Sequence, residues 1–337
     1  MKILVENSTW NNIGDGFYQS ALYILIKQLY PTANVLMEEG PIFRAFRPKS
    51  DWQKQNCLNL MNYQSADLHI FSGPMIRQIL TNYKDKIIAL KAAGEQYAFV
   101  SVSAAGITED LRQETGAFFQ QYPPLFLASR DEETYLKFKD FVKNSYNGMC
   151  TAFLVNKMLP VDQLNPAFKF FISSFYRELE PVYKLKNGTQ DVNLNTIDLN
   201  RKQTYLGIPH RFARHLNRFR PAQEEVNGLK VVRVQQEVST KFNHINFSQP
   251  NSFLSFNLLS YLALYKSADF TISDRVHSCA VSLAFGKPAR LFTKSPRAGI
   301  FNRLGFDHKQ NNGIMQPNLD IIDVEAEKLS TFIKSSF

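Results

Sequence analysis

Arg275 and His277 stand one residue apart in the run SDRVHSCAVSLAFGKP at 273–288. A guanidinium is a permanent cation, and an imidazole titrates near pH ~6.5. Upstream, residues 270–272 are an apolar tripeptide that reads as a strand; downstream, 278–285 are small and apolar and read as a helix, stopped by Gly286 and by Pro288. A second strand over 289–292 leads to a turn at Pro296-Arg297. The pair therefore falls where a strand ends and a helix begins, the edge of an open α/β sheet at which ligands sit. Free N–H groups at the helix start add an attraction for anions. One strongly basic side chain, one titratable ring and a helix N-terminus together suit a small acid. On spacing alone the alternative stands beside this reading: a satisfied structural histidine with a surface arginine.

Two further clusters could contribute. Asn12, Gly14 and Asp15 lie in STWNNIGDG at 8–16, just before an apolar helical pattern. Glycines on both sides of Asp15 let the backbone approach a ligand closely at the helix start. The spacing is not a dinucleotide fingerprint, since its third glycine would fall at Gln19. Arg130 sits in ASRDEET at 128–134, directly after another apolar strand. Its competing explanation is a plain ion pair with Asp131 or Glu133. A third cationic feature is the stretch 201–220, with six Lys or Arg and no acid. There Arg211, Arg214, His215 and Arg218 share one face at helical spacing, which is either a solvated face or a docking surface for an anionic carrier at a membrane.

Positioning these residues requires alternating strands and helices. The first half predicts strands at 2–6, 35–37, 68–71, 98–102 and 125–128, and helices at 17–29, 51–63, 75–90, 109–121 and 132–143. After a proline-bearing passage at 148–166, strands follow at 168–173 and 229–235, then a helix over 251–265, the 270–292 unit, and a closing helix at 321–337. Such alternation predicts parallel sheets covered on both faces. The expected fold class is α/β, with two Rossmann-like domains facing a cleft. The boundaries are 1–158, which the helix 321–337 could complete by crossing back, and 165–320.

The composition is compatible with that plan. A chain of 337 residues fits about two domains, and 44% apolar content is that of a globular protein. Thirty-nine Lys and Arg against thirty Asp and Glu leave +9, favouring anionic partners. Cys57, Cys150 and Cys279, scattered and odd in number, make neither a disulfide framework nor a metal knuckle. No signal peptide or membrane span is evident, so the expected location is cytoplasmic, with peripheral contact at the inner membrane face as the role of the 201–220 stretch. No metal, cofactor or nucleic acid is expected, since no Walker loop, His/Cys cluster or basic-aromatic strand motif is present.

These motifs resemble a known family. NIGDGFYQSAL at 12–22 resembles the opening N-x-G-D element of the polysaccharide pyruvyl transferases. SDRVHSCAVSLAFGKP is similar to that family's S-x-R-x-H…A-x-x-x-G-x-P block, the more specific of the two. SADLHIFSGP at 65–74, SAAG at 103–106 and ASRDEET fall between them in the family's order. The resemblance spans about residues 10–306 and implies a GT-B-like fold. It implies transfer of the enolpyruvyl unit of phosphoenolpyruvate to two hydroxyls of a polysaccharide sugar or its precursor, held on a lipid-diphosphate carrier or free. The product would be a pyruvate ketal, with phosphate released. It assigns donor binding to Arg130, His277 and Arg297, the last where the family more usually has Lys, and an acidic first-loop role to Asp15. Arg275, Gly14 and Asn12 join the expected binding set; Asp15 would be the acceptor base and His277 the acid or phosphate contact. The third strand departs from the family in ending Gly73-Pro74, and 175–230 match nothing. A GT-B glycosyltransferase using a nucleotide sugar is the alternative, and a non-catalytic glycan-docking relative stands behind it.

Overall fold

The computed structural model describes the chain except for residues 8–9, 40–45, 47, 177, 199–221, 239–242, 293–294 and 307–312. The basic stretch 201–220 lies outside the described residues.

The first sheet has six strands in the order β2-β1-β3-β4-β5-β6, all parallel. They are β1 (Lys2–Asn7), β2 (Asn34–Glu39), β3 (Leu68–Gly73), β4 (Gln96–Val102), β5 (Leu127–Ser129) and β6 (Ser145–Tyr146). β3 is buried throughout and β4 nearly so, which is why they read as continuous apolar runs rather than alternating ones. The second sheet runs β10-β11-β7-β13-β14-β15, with β12 on β11. Its strands are β7 (Phe170–Ser174), β10 (Glu225–Val226), β11 (Leu229–Val234), β12 (Ser252–Phe253), β13 (Thr271–Ser273), β14 (Ala289–Leu291) and β15 (Ile314–Met315). Its centre is parallel, and β10 and β15 close the edges antiparallel. A separate ribbon pairs β8 (Lys184–Leu185) with β9 (Ile197–Asp198).

Helices connect the strands. α1 (Ile13–Leu29) follows β1, α2 (Lys84–Ala92) follows β3, α3 (Glu109–Gln121) follows β4, and α4 (Glu132–Phe138) follows β5. In the second half, α5 (Leu258–Ser267) precedes β13 and α6 (Val276–Ala284) joins β13 to β14. Gly286, at φ +72°, ends α6 in the left-handed conformation that glycine adopts at little cost. One buried core runs behind the cleft between the sheets, because α1 packs Phe17 edge-on against Tyr261 and Tyr265 of α5, at 6.4 and 6.0 Å. The last helix, α7 (Leu319–Ser335), lays Phe332 against Phe126 and Tyr146 of the first sheet's side, and Tyr30 donates to the Ile333 carbonyl.

Several expected helices are shorter than their sequence pattern. The stretch 51–63 splits into a five-residue helix, Asp51–Gln55, and a 3₁₀ turn, Leu60–Tyr63. None of the residues Asp51–Gln55 is buried, and short helices without a packed face do not propagate. The stretch 75–90 opens as a 3₁₀ turn and a π turn before α2 begins at Lys84. α4 ends at Phe138, five residues early. Helix 251–265 begins only at Leu258: Asn251 has φ +53°, Ser252–Phe253 pair with β11, and Asn257 is the cap, accepting from the Leu259 amide.

Candidate active site

The loops at the C-terminal ends of both sheets meet in one pocket, lined from the first half by Asn12, Asp15 and Arg130. Gln236, Asp274, Arg275, His277, Ser295 and Arg297 line it from the second half. Asp15, Arg130, Arg275, His277 and Arg297 therefore come together, although they lie on four separate segments.

Each is placed by local chemistry. Asn12 caps α1, its side chain accepting from the Gly14 amide at 3.1 Å, so Asp15 rides in the helix's first turn rather than capping it. Gly14 fits closely: a Cβ there would lie 3.1 Å from the Gln236 side chain and 3.4 Å from His277 Nδ1, so these side chains would have to give slightly. The 11–13 segment is pinned to the second half by backbone bonds, Ile13 to the Gln236 carbonyl at 2.9 Å and Val238 to the Asn11 carbonyl at 2.7 Å. On the other wall, Ser273 Oγ accepts from the Arg275 amide at 2.8 Å and donates to the Ser174 carbonyl at 2.7 Å, fixing the turn from β13 into α6. Ser295 does the same for the Pro296–Ala298 turn by accepting from the Arg297 amide.

Arg130 is the least ordinary residue of the set. It is 1% exposed, yet among the described residues it has no carboxylate partner, and its Nε has no hydrogen-bond partner. Asp131 and Glu133, which could have neutralised it, make no ion pair with it among the described residues, and Asp131 Oδ2 is itself buried without a hydrogen-bond partner there. Asp131 caps α4 by accepting from the Thr134 amide at 2.8 Å, and Glu133 pairs with Lys137 at 2.7 Å. The guanidinium lies 5.9 Å from the centre of the Tyr18 ring, with Nη1 3.5 Å from His277 Nε2. A buried cation without a counter-ion is costly unless an anion arrives to pair with it.

Arg275 is differently employed. Its guanidinium stacks 4.0 Å over Tyr176 and pairs with Glu237 at 3.3 Å, so much of its charge is already answered within the protein. Arg297 is exposed at the mouth.

His277 does not have the near-neutral titration that its type suggests. Burial, then Arg130, Arg297 and Arg275 in that order, hold its pKa well below the usual 6.5, while a hydrogen bond to the Gly14 backbone works the other way. With Nδ1 toward Gly14, a neutral ring presents Nε2 to Arg130. The unfolded chain therefore binds this proton first as pH falls, so stability is full above pH ~6.5 and declines as pH drops from there toward the folded value. In melts from pH ~7.5 down to ~5, His277→Gln should lose less melting temperature than wild type. Equal losses would mean the ring is not held neutral.

Three contributors were not visible in the sequence. Tyr18, 5.1 Å from His277 by ring centres, forms the wall shared with Arg130. Gln236 bonds Tyr265 and Ser278 and holds the Gly14 side of the pocket. Asp274 accepts from the amides of Tyr176 and Glu178 and so secures the loop under Arg275. Asp274, inside the SDRVH run, and Tyr18, inside NIGDGFYQSAL, sit within quoted motifs without being singled out there; Gln236 acts through contacts remote in sequence.

Comparison with known proteins settles the family. The polysaccharide pyruvyl transferase model matches residues 12–296. The chain belongs to the polysaccharide pyruvyl transferase family. No curated protein sequence matches it. Among solved structures, the co-structure of S. aureus MnaA with UDP aligns with TM-score 0.54 at 10% identity, covering 99% of this chain and 91% of that one. UDP-GlcNAc 2-epimerase from Methanocaldococcus jannaschii aligns with TM-score 0.50 at 9% identity, covering 99% and 100%. At such identity the likeness is one of fold, and it shows the GT-B-like arrangement of two Rossmann-like domains across a cleft. This polysaccharide pyruvyl transferase family member thus carries its convergent arginines and histidine in the inter-domain cleft of that fold. Among its described residues, no helix is long and apolar enough to cross a membrane.

Proposed function

We propose that the protein transfers the pyruvyl unit of phosphoenolpyruvate to two hydroxyls of a sugar, with the first domain, 1–158, holding the acceptor and the second, 165–320, the donor. The observation that carries this reading is Arg130, a buried guanidinium with no carboxylate partner among the described residues, set against His277 in the cleft. Phosphoenolpyruvate brings a carboxylate and a phosphate, and Arg130, Arg297 and the partly neutralised Arg275 are suited to divide them. In the reaction, C2 of the donor gains bonds to two sugar oxygens, C3 takes one proton to become a methyl group, and inorganic phosphate leaves with the other. Asp15, at the acceptor side, removes a hydroxyl proton. His277, neutral in the free protein, gains its proton as the bound dianion offsets the three arginines, and can then deliver it. Asn12 and Gly14 shape the helix start against which the anion rests.

The test is phosphate release from phosphoenolpyruvate with a panel of free and carrier-linked sugars, run beside nucleotide-sugar donors. Release with phosphoenolpyruvate and a suitable acceptor, and no turnover of nucleotide sugars, is the expected result. Turnover of a nucleotide sugar alone would replace this reading with glycosyl transfer, to which the UDP-binding fold relatives lend some weight.

A further inference from the structure

A second cavity, of about 620 Å³, opens in the first domain between α2 and the segment that precedes β3. Its walls include Asn59, Asn62, Asn82 and Tyr63, with Gln64, whose amide is held by Lys2 and Glu38, and the buried Tyr83 behind them. Glu6, Asp85 and Glu95 line it with a single cation, Lys86. Beneath it, His69 is fully buried, with Nδ1 2.8 Å from Glu6 and Nε2 2.7 Å from Glu95, while Lys86 reaches Glu6 at 2.7 Å. The two glutamates are thereby fixed in orientation rather than left to solvent.

This cavity shares lining residues with a smaller pocket that lies on the side of the catalytic cleft. Glu6 and Tyr83 also line a narrow neck of about 30 Å³, and Asp15 lines both that neck and the arginine pocket. The neck holds two buried polar atoms, Asn7 Oδ1 and Ser72 Oγ, with no hydrogen-bond partner among the described residues; Ser72 is 7% exposed. Buried polar atoms left so are rare in proteins and commonly await a ligand or water.

We propose that this cavity and its neck form an acceptor subsite for an uncharged, hydroxyl-rich sugar adjoining the one that is pyruvylated. The assignment rests on the pyruvyl-transfer reading and names the chemistry of its second substrate. Amides and fixed carboxylates match sugar hydroxyls, and tyrosine rings match the C–H faces of pyranoses. The volume lies within the ~300–1,000 Å³ of pockets that enclose drug-sized ligands, room for more than one hexose. The neck is too narrow for a ring, but it passes a glycosidic oxygen or hydroxymethyl arm, to which Ser72 and Asn7 supply a donor and an acceptor. Among the described lining residues two of the three carboxylates are already engaged by His69 and Lys86, which leaves no surplus of cations to hold a diphosphate, so the carrier end of a lipid-linked acceptor lies elsewhere. The two ends of the path are opposite in charge, and Asp15 stands between them.

The test is saturation-transfer NMR and titration with neutral mono- to tetrasaccharides and a sialylated member, on wild type, Ala89→Trp and Ser72→Ala. Ala89 is an exposed position of α2 facing the cavity, so an indole there fills the space without disturbing the core. A neutral disaccharide or longer should bind wild type at millimolar affinity and better than its monosaccharide. Ala89→Trp should weaken it at least about tenfold and Ser72→Ala by less, with the phosphoenolpyruvate-induced thermal shift unchanged in both. Unaltered binding in Ala89→Trp, binding of the sialylated member only, or no binding by any neutral member overturns the subsite. The absence of a phosphoenolpyruvate shift in wild type would instead sink the parent reading, while oligosaccharide binding is read independently of it.

Discussion

Arg130→Met should lower kcat/KM for phosphoenolpyruvate by roughly thirtyfold to a few thousandfold while leaving the melting temperature unchanged or raised. The first half of that expectation follows from truncating one partner of a buried charge pair, which costs ~2–5 kcal/mol in complexes where both groups are desolvated. The second half follows from the free protein, where Arg130 is 1% exposed, its Nε is unpartnered, and no described carboxylate neutralises it. Methionine keeps most of the packing volume and removes the uncompensated charge, so folding is relieved of a desolvation penalty. A structural arginine predicts the reverse, a fall in stability with donor affinity intact. Kinetics beside thermal melts tell the two apart. A further readout comes from His277: Arg130 is the second-largest influence depressing its pKa, so in Arg130→Met the acid-side loss of stability should be smaller and should level off at a higher pH.

The same residue shows where sequence reading stops. Arg130 was found because it follows an apolar strand, and β5 does end at Ser129 with the arginine next. Its alternative partners, Asp131 and Glu133, were visible too, and only the structure shows one oxygen of Asp131 turned to a helix cap and Glu133 paired with Lys137. Likewise the central parallel strands were legible as apolar runs, and α6 was legible because Gly286 and Pro288 mark its end by local backbone chemistry. Elements decided by tertiary pairing were not: β12 took residues from an expected helix because Arg233 and Val234 offer it an edge. Short edge strands such as β10 and β15 carry too few residues for any period to register. The titration of His277 is of the same kind, set by three arginines from distant loops rather than by its own neighbours in sequence.

Asp15→Asn should reduce kcat by ~10²–10⁴ with phosphoenolpyruvate binding unchanged or tighter, if the carboxylate is the base that deprotonates the acceptor. Its competing role would be structural, and the geometry bounds how large that can be. Capping of α1 is already performed by Asn12, whose side chain accepts from the Gly14 amide at 3.1 Å. Asp15 adds the favourable interaction of a carboxylate with the first turn of a helix, typically ~0.3–1 kcal/mol. That loss is a few degrees at most for a chain of this size and leaves the protein folded at assay temperature. The kinetic term therefore exceeds the structural one by several kcal/mol, and the two are separable in a single variant. Donor affinity should not suffer, because Asp15 lines the same pocket as Arg130, Arg275 and Arg297, and removing its negative charge leaves their field on an anion stronger. Isothermal titration of phosphoenolpyruvate, steady-state phosphate release and a thermal melt of the same preparation give the three quantities. A variant that turns over normally would take the base away from Asp15, and one that loses donor binding would place the carboxylate in support of the arginines instead.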